Sequence, residues 1–302
     1  MRKSSKILVS GLTALMLSFN AVPQTFIPDF LQNSRNFSIL NQQNLGSTRY
    51  SVDRAASDDT QIQMRLKGYV FGFRVIRSDY VVRFNQQDYV AYADAKTSGL
   101  AALLKKMELW SVTKGRYSKN GLKPDWHVQQ NTDKKNRRVE MNYDRSKAKV
   151  DVAIVPPLGS QGIPPATPAE RYQANDAISG ILHLMMTGTS INGELCTGRV
   201  PFFDSKQHYY LRLERIGTKR VKFLDGKDDT IHCRAYYEPV SGYDPEDLPS
   251  EEEASTPVNV YLKYFPEAGL YIPVRLTYKI SAFKAVIKVD EMEIIQARQA
   301  SN

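Results

Sequence analysis

From residue 61 onward, apolar and polar residues alternate in short runs separated by polar or glycine-containing breaks. A period of two is the mark of a strand with one face buried and one face in water. DYVVRF and DYVAYADA flank Asn85-Gln86-Gln87 and predict a hairpin. WSVTKGRYSKNGLKPDWHVQ and RRVEMNYDRSKAKVDVAIV alternate in the same way, with turns at Lys119-Asn120-Gly121 and Thr132–Asn136. In FDSKQHYYLRLERI, Phe203 precedes a polar turn at Asp204–Gln207, and a strand follows. TIHCRAYYEPV is its partner, across a turn carried by Asp225-Gly226. VNVYLKYF (258–265), LYIPVRLTYKI and KAVIKVDEMEII read as a three-stranded meander, with Pro266–Gly269 as one of its turns.

Two segments depart from this period. LAALLKKMELWSV (100–112) suits either a short helix or a strand that curls. TPAERYQANDAISGILHLMMTG (167–188) is helical. Thr167 and Glu170 form a capping box, Pro168 takes the first helical position, and Gly188 suits the end. Ile178, Ile181, Leu182 and Met185 fall at i, i+3, i+4 and i+7, so one apolar stripe faces a core. Gly180 and the Asn175-Asp176 pair are candidate breaks that split the segment into two helices. The expectation is a mainly β protein: a single β-rich domain over 61–302 with one or two helices packed on it, preceded by a polar lead-in over 22–60 that lacks a clean period.

The first 21 residues differ from the rest. Arg2, Lys3 and Lys6 precede an apolar stretch from Ile7 to Phe19 that is short for a membrane span. This is the pattern of a secretory signal peptide over 1–21, with Ala21 before the cut. No later stretch reaches the length of a spanning helix, so the expectation is an exported chain with no transmembrane segment after cleavage. The formal net charge is +9. The excess is local: residues 105–149 carry 13 Lys/Arg against five Asp/Glu. Residues 243–257 carry six acids among Pro and Ser and read as a solvated loop. Lys134, Lys135, Arg137 and Arg138 flank a turn near Trp126. They are candidates for contact with an anionic surface such as phospholipid or an acidic protein; nucleic acid is not expected as a partner of an exported chain.

Export bears on the two cysteines, Cys196 and Cys233. In an oxidising compartment they pair most simply with each other, stapling one strand of the sheet to another. A catalytic thiol lacks a nearby base other than His232, which adjoins the second cysteine. A zinc site from Cys196, His208, His232 and Cys233 lacks a tight ligand pair. Ser179 and His183 stand i, i+4 on the helix and read more simply as a satisfied pair than as nucleophile and base. No phosphate loop, H-E-x-x-H, G-x-S-x-G or C-x-x-C occurs. No enzyme activity, metal or cofactor is expected.

Several short motifs, taken in order, resemble one family. They are Tyr89 with Thr97, Gly99 and Leu100; Asp176 with Ser179; Cys196 and Gly198 with Phe203, Asp204 and Lys206; Cys233 with Tyr236, Tyr237 and Pro239–Gly242; and Tyr271, Pro273, Val274 and Arg275. Over residues 62–295 the chain resembles domain of unknown function 3108, an uncharacterised bacterial envelope family. Ser205 and Lys284 stand where that family tends to have glycine, and the acidic stretch 243–257 looks like an insertion. The resemblance implies a periplasmic address and a long, curled antiparallel sheet, half-barrel or spiral-like, similar to lipoprotein carriers. It supplies no catalytic residues. Two readings of function follow. The first is an envelope-maintenance factor acting by protein contact. The second is a carrier or sensor of a lipid or other apolar ligand, with Ile178, Ile181, Leu182 and Met185 lining a cavity in the sheet.

Overall fold

The computed structural model describes residues 59–85, 87–99, 101–102, 106–118, 121–131, 136–187, 194–280 and 283–296. The expected signal peptide and almost all of the lead-in lie outside the described residues, as do Lys134 and Lys135.

Among the described residues, thirteen strands form one antiparallel sheet. The first seven run in sequence order: β1 (Thr60–Val70), β2 (Phe73–Phe84), β3 (Asp88–Thr97), β4 (Glu108–Ser118), β5 (Gly121–Asn131), β6 (Arg138–Asp144) and β7 (Lys149–Val155). The last six are β8 (Gly198–Phe203), β9 (His208–Phe223), β10 (Gly226–Ser241), β11 (Val258–Phe265), β12 (Leu270–Ile280) and β13 (Phe283–Gln296). The two meanders join where β13 pairs with β1, which leaves β7 and β8 as the two edges. The hairpins expected from the alternation are present: Phe84 faces Tyr89, Phe223 faces Gly226, and Phe265 faces Leu270.

The sheet curls. Register shifts interrupt the pairing at Arg65/Leu66, Gly68/Tyr69, Lys114/Gly115, His232/Cys233 and Tyr261/Leu262. Each places an extra residue on one strand, which raises the local twist and bends the ladder. Residues from β1, β2, β3, β9, β11, β12 and β13 then share one buried cluster, including Ile62, Tyr80, Tyr89, Phe223, Tyr261, Ile272 and Val289.

The predicted helical segment is split, as its Asn175-Asp176 pair suggested. Helix α1 (Pro168–Gln173) begins with the Thr167–Glu170 capping box, and helix α2 (Ala177–Thr187) follows. Helix α2 lies inside the curl, where Ile178, Leu182 and Met185 join the main cluster and Ile181 packs against it half-buried. Gly180 is required by this packing, because a Cβ there would run into the Phe202 ring.

The gap between β7 and β8 is spanned by the segment that joins them. Its Asn175 amide donates to the Pro201 carbonyl at 3.0 Å, and the Phe203 amide donates to the Asn175 carbonyl at 2.9 Å. Val139, Met141, Tyr143, Val150, Ala166, Ala174 and Phe203 bury one another there. Further along, Ile163 donates to the Tyr243 carbonyl and Gly242 to the Pro164 carbonyl, both at 2.8 Å. Gly242 sits so close to the Lys206 carbonyl that a Cβ would overlap it.

Two expectations change. The acidic stretch is exposed but structured: a 3-10 turn at Pro245–Asp247 is followed by a short helix α3 (Glu251–Ser255), capped by Ser250 and Glu253. Of residues 100–112, Ala101–Ala102 are helical and β4 starts at Glu108, while 100 and 103–105 lie outside the described residues. Cys196 is not on a strand. It occupies the turn before β8, with φ +61°, so the cystine links a turn to β10 across the intervening β9 rather than strand to strand.

Candidate functional site

The strongest concentration of buried polar groups lies where α2 starts inside the curl. Asp176 is the residue before the first turn of α2, where backbone amides lack intrahelical partners. Its Oδ1 accepts from the amides of Ile178 and Ser179, both at 3.0 Å, so it caps the helix. The same carboxylate also meets the wall. Thr113 on β4 donates to Oδ1 at 2.8 Å, and His127 on β5 places Nδ1 at 3.2 Å. Ser179 donates to Oδ2 at 2.5 Å. Thr113 and His127 are cross-strand neighbours, so their side chains share the inner face.

Counting hydrogens assigns the roles. The single Thr113 hydroxyl hydrogen goes to Asp176, and the Thr113–His127 contact of 2.6 Å then requires Nδ1–H to be the donor. The Ser179 hydrogen is likewise committed to Asp176, so the Tyr89 hydroxyl, 2.8 Å away, donates to Ser179. Asp176, Ser179, Thr113, His127 and Tyr89 are all buried. Burial alone would push the Asp176 carboxyl up. The His127 ring and the Ser179 hydroxyl and amide outweigh it and hold the carboxyl below its ordinary range. The Tyr80 and Tyr143 hydroxyls are pushed up, first by burial and then by the field of Asp176.

This arrangement is not a nucleophilic triad. The hydroxyl of Ser179 is spent on the carboxylate and not on an imidazole, and solvent does not reach it. His183, the other half of the i, i+4 pair, has no bond with Ser179; it stands instead against Gly121. What the constellation does is fasten the first turn of α2 to β3, β4 and β5 by hydrogen bonds that converge on a buried carboxylate.

The other sequence-predicted positions fall elsewhere. Cys196 and Cys233 form a disulfide with Cα atoms 5.8 Å apart, buried with Leu262. Arg137 is half-buried and donates to the carbonyls of Pro156 and Pro157 at 3.1 and 3.3 Å, tying the β5–β6 turn to the segment after β7. Arg138 lies over the Trp110 ring and pairs with Glu140 at 3.5 Å. These two arginines are thus partly engaged within the protein. The four apolar residues of α2 point into the core, on the far side of the wall from those arginines. His208 is buried beside Glu170, at 3.7 Å. The Asp204 side chain accepts from the amides of Lys206 and Gln207, and the Lys206 ammonium reaches Asp244 at 2.6 Å, which pins the end of β10 to the β8–β9 turn. Among the described residues no three His, Cys, Asp or Glu side chains are arranged to hold a metal, and no helix is long and apolar enough to cross a membrane.

The sequence reading singled out Asp176 and Ser179 as a motif but gave neither its partners. His127, Thr113 and Tyr89 were missed as a group. Their only advance signal is that Thr113 is polar at an inward-phase position of β4, which is legible only once register is known.

A family profile described as "Protein of unknown function (DUF3108)" matches residues 61–281. No curated protein matches. Among matching solved structures is the crystal structure of a β-barrel-like protein of domain of unknown function DUF1849 from Brucella abortus. It is 12% identical, covers 81% of this chain and 100% of its own, and has a TM-score of 0.44.

Proposed function

The chain belongs to the DUF3108 family, and from that premise we propose that it is an exported periplasmic protein that maintains the cell envelope without catalysis, through contacts its surface makes with another envelope protein. The observation that carries this reading is the filling of the curl. Leu182 and Met185 have 0% exposure, and the polar cluster beneath them is spent on holding α2 in place. With α2 occupying the inner face and the hydroxyls of Thr113, Ser179 and Tyr89 committed to Asp176 or to one another, what the protein offers a partner is its outer face and its two rims. The buried cystine supports the export half of the reading, since such a bond persists in an oxidising compartment. Carriage of an apolar ligand would require α2 to leave, against both its apolar burial and the Asp176 anchor.

The test is photocrosslinking in living cells from exposed positions on the outer face, such as Ile216, Val240 and Tyr264, followed by mass spectrometry. The expected result is one reproducible envelope protein attached at neighbouring positions. Recovery of no reproducible partner, or native mass spectrometry finding lipid inside the purified protein, overturns the reading.

A further inference from the structure

The antiparallel order sends the β1–β2, β3–β4, β5–β6 and β12–β13 connections to the same rim of the sheet. Two of these carry the most exposed phenylalanines. Phe71 is 59% exposed and Phe73 58% at the β1–β2 tip, and Phe283 is 46% exposed at the β12–β13 tip. Pairing of β1 with β13 brings the tips together, and the Phe71 and Phe283 ring centroids are 4.0 Å apart. Phe71 and Phe283, remote in sequence, thus form one exposed apolar pair at the rim, with exposed Phe73 on the same hairpin.

Phe71 also breaks a local rule. Val70 faces Phe73, so Phe71-Gly72 is a two-residue hairpin loop with φ of +55° and +79°. That loop favours Asn, Asp or Gly at its first position, and a bulky residue there costs on the order of 1 kcal/mol. The ring buries little in return. Its pairing with Phe283 offsets part of that cost while leaving both rings largely in water, and such an arrangement is where a functional requirement is to be sought.

The charge around the pair is one-sided. Residues 67–77 and 277–288 hold Lys67, Arg74, Arg77, Lys279, Lys284 and Lys288 and no acid. Arg74, Lys279 and Lys284 are exposed and enter no ion pair among the described residues, whereas Lys67 pairs with Asp290 and Arg77 with Asp79. The acidic helix α3 bounds this patch at Tyr278, whose hydroxyl is pushed up by burial and then by Glu253 and Glu252. Apolar rings on an exposed rim, collared by long cationic side chains, match the layering of an anionic bilayer, with headgroup phosphates over acyl chains.

We infer that this rim docks on an anionic lipid bilayer, with Phe71, Phe73 and Phe283 entering the headgroup–acyl boundary while Arg74, Lys279 and Lys284 meet lipid phosphates. The inference rests on the exported reading for access to a membrane surface. A second protein is the competing occupant, and an exposed rim without a groove favours the bilayer.

The test is co-sedimentation of the full chain with phosphatidylglycerol-containing vesicles and with pure phosphatidylcholine vesicles. Residues 7–19 contribute equally to every variant, so differences between variants report the rim. The expected result is binding to the anionic vesicles that falls with added salt. A Phe71→Ser/Phe73→Ser/Phe283→Ser variant lowers it at least about tenfold. An Arg74→Glu/Lys279→Glu/Lys284→Glu variant lowers it at least about 100-fold, at roughly fivefold per charge. Phe71→Asn weakens binding while keeping or raising the melting temperature, since Asn suits the turn. Unchanged binding in either triple variant, or a lower melting temperature for Phe71→Asn, overturns the inference. A chain that ignores vesicles but loses its crosslinked protein partner on phenylalanine replacement overturns it in favour of a protein. Failed vesicle binding with an outer-face crosslink retained removes this inference alone and leaves the exported-contact reading standing.

Discussion

Ser205 stands at φ +92° in the turn between β8 and β9, a conformation that costs a residue with a Cβ on the order of 1–2 kcal/mol. The family's glycine at this place therefore has a physical reason, and this chain departs from it. Asp204 and Lys206 on either side hold the turn closed through two amide bonds and the ion pair to Asp244. The other departure, Lys284, is an exposed residue of β13 without a positive φ, and it carries no comparable strain. Ser205→Gly should raise stability by about 0.5–1 kcal/mol, the relieved strain less the greater freedom of glycine in the unfolded chain. Urea denaturation checks this; a lower midpoint would mean that the serine is not strained in solution.

At the scale of elements, α2 shows why capping by a buried carboxylate differs from capping at a surface. A surface cap is worth about 1 kcal/mol. Asp176 additionally accepts from side chains of the wall and helix, so Asp176→Ala leaves the hydroxyls of Thr113 and Ser179 and the first amides of α2 without their acceptor. The expected loss is about 3–5 kcal/mol, with faster amide exchange along α2. Asp176→Asn keeps an acceptor oxygen and should lose less. Because this carboxyl titrates below its ordinary range, its contribution is present above the ordinary carboxylate range and fades as pH falls through the folded value. The wild type should therefore lose more stability on acidification than Asp176→Asn. Equal pH dependence of the two would show that the charge on this carboxylate contributes nothing.

At the scale of the molecule, the thirteen described strands leave two edges, and the α1 segment covers the gap between them. Covering edges in this way limits the unpaired backbone that would otherwise recruit other chains. The cystine then fixes the turn before the edge strand β8 to β10, closing a sequence separation of 37 residues. On the chain-entropy view, closing a loop of that size constrains the unfolded state by about 4 kcal/mol. Cys196→Ser/Cys233→Ser should lower the melting temperature accordingly, and reductant should do so in the wild type alone. Two free thiols in unreduced, unfolded wild-type protein would remove the bond from the account.

The strands, most hairpin turns, the capped start of α1 and the apolar stripe of α2 were legible because each rests on neighbours within a few residues: a period of two, a capping box, an i, i+3, i+4 spacing. The Asp176 partnership was half legible, since Asp176 and Ser179 are close in sequence while His127 and Thr113 come from other strands. The cysteine pair was legible as chemistry but not as geometry, since nothing local told a turn from a strand at Cys196. By itself the sequence determined most of the strands, the two helices α1 and α2, and which bond the cysteines make. Only the tertiary structure decided that α2 fills the curl, that one loop covers the sheet's open side, and that Phe71 meets Phe283. Those facts depend on register accumulated across many strands, where each bulge shifts every later pairing and no short stretch of sequence records the sum.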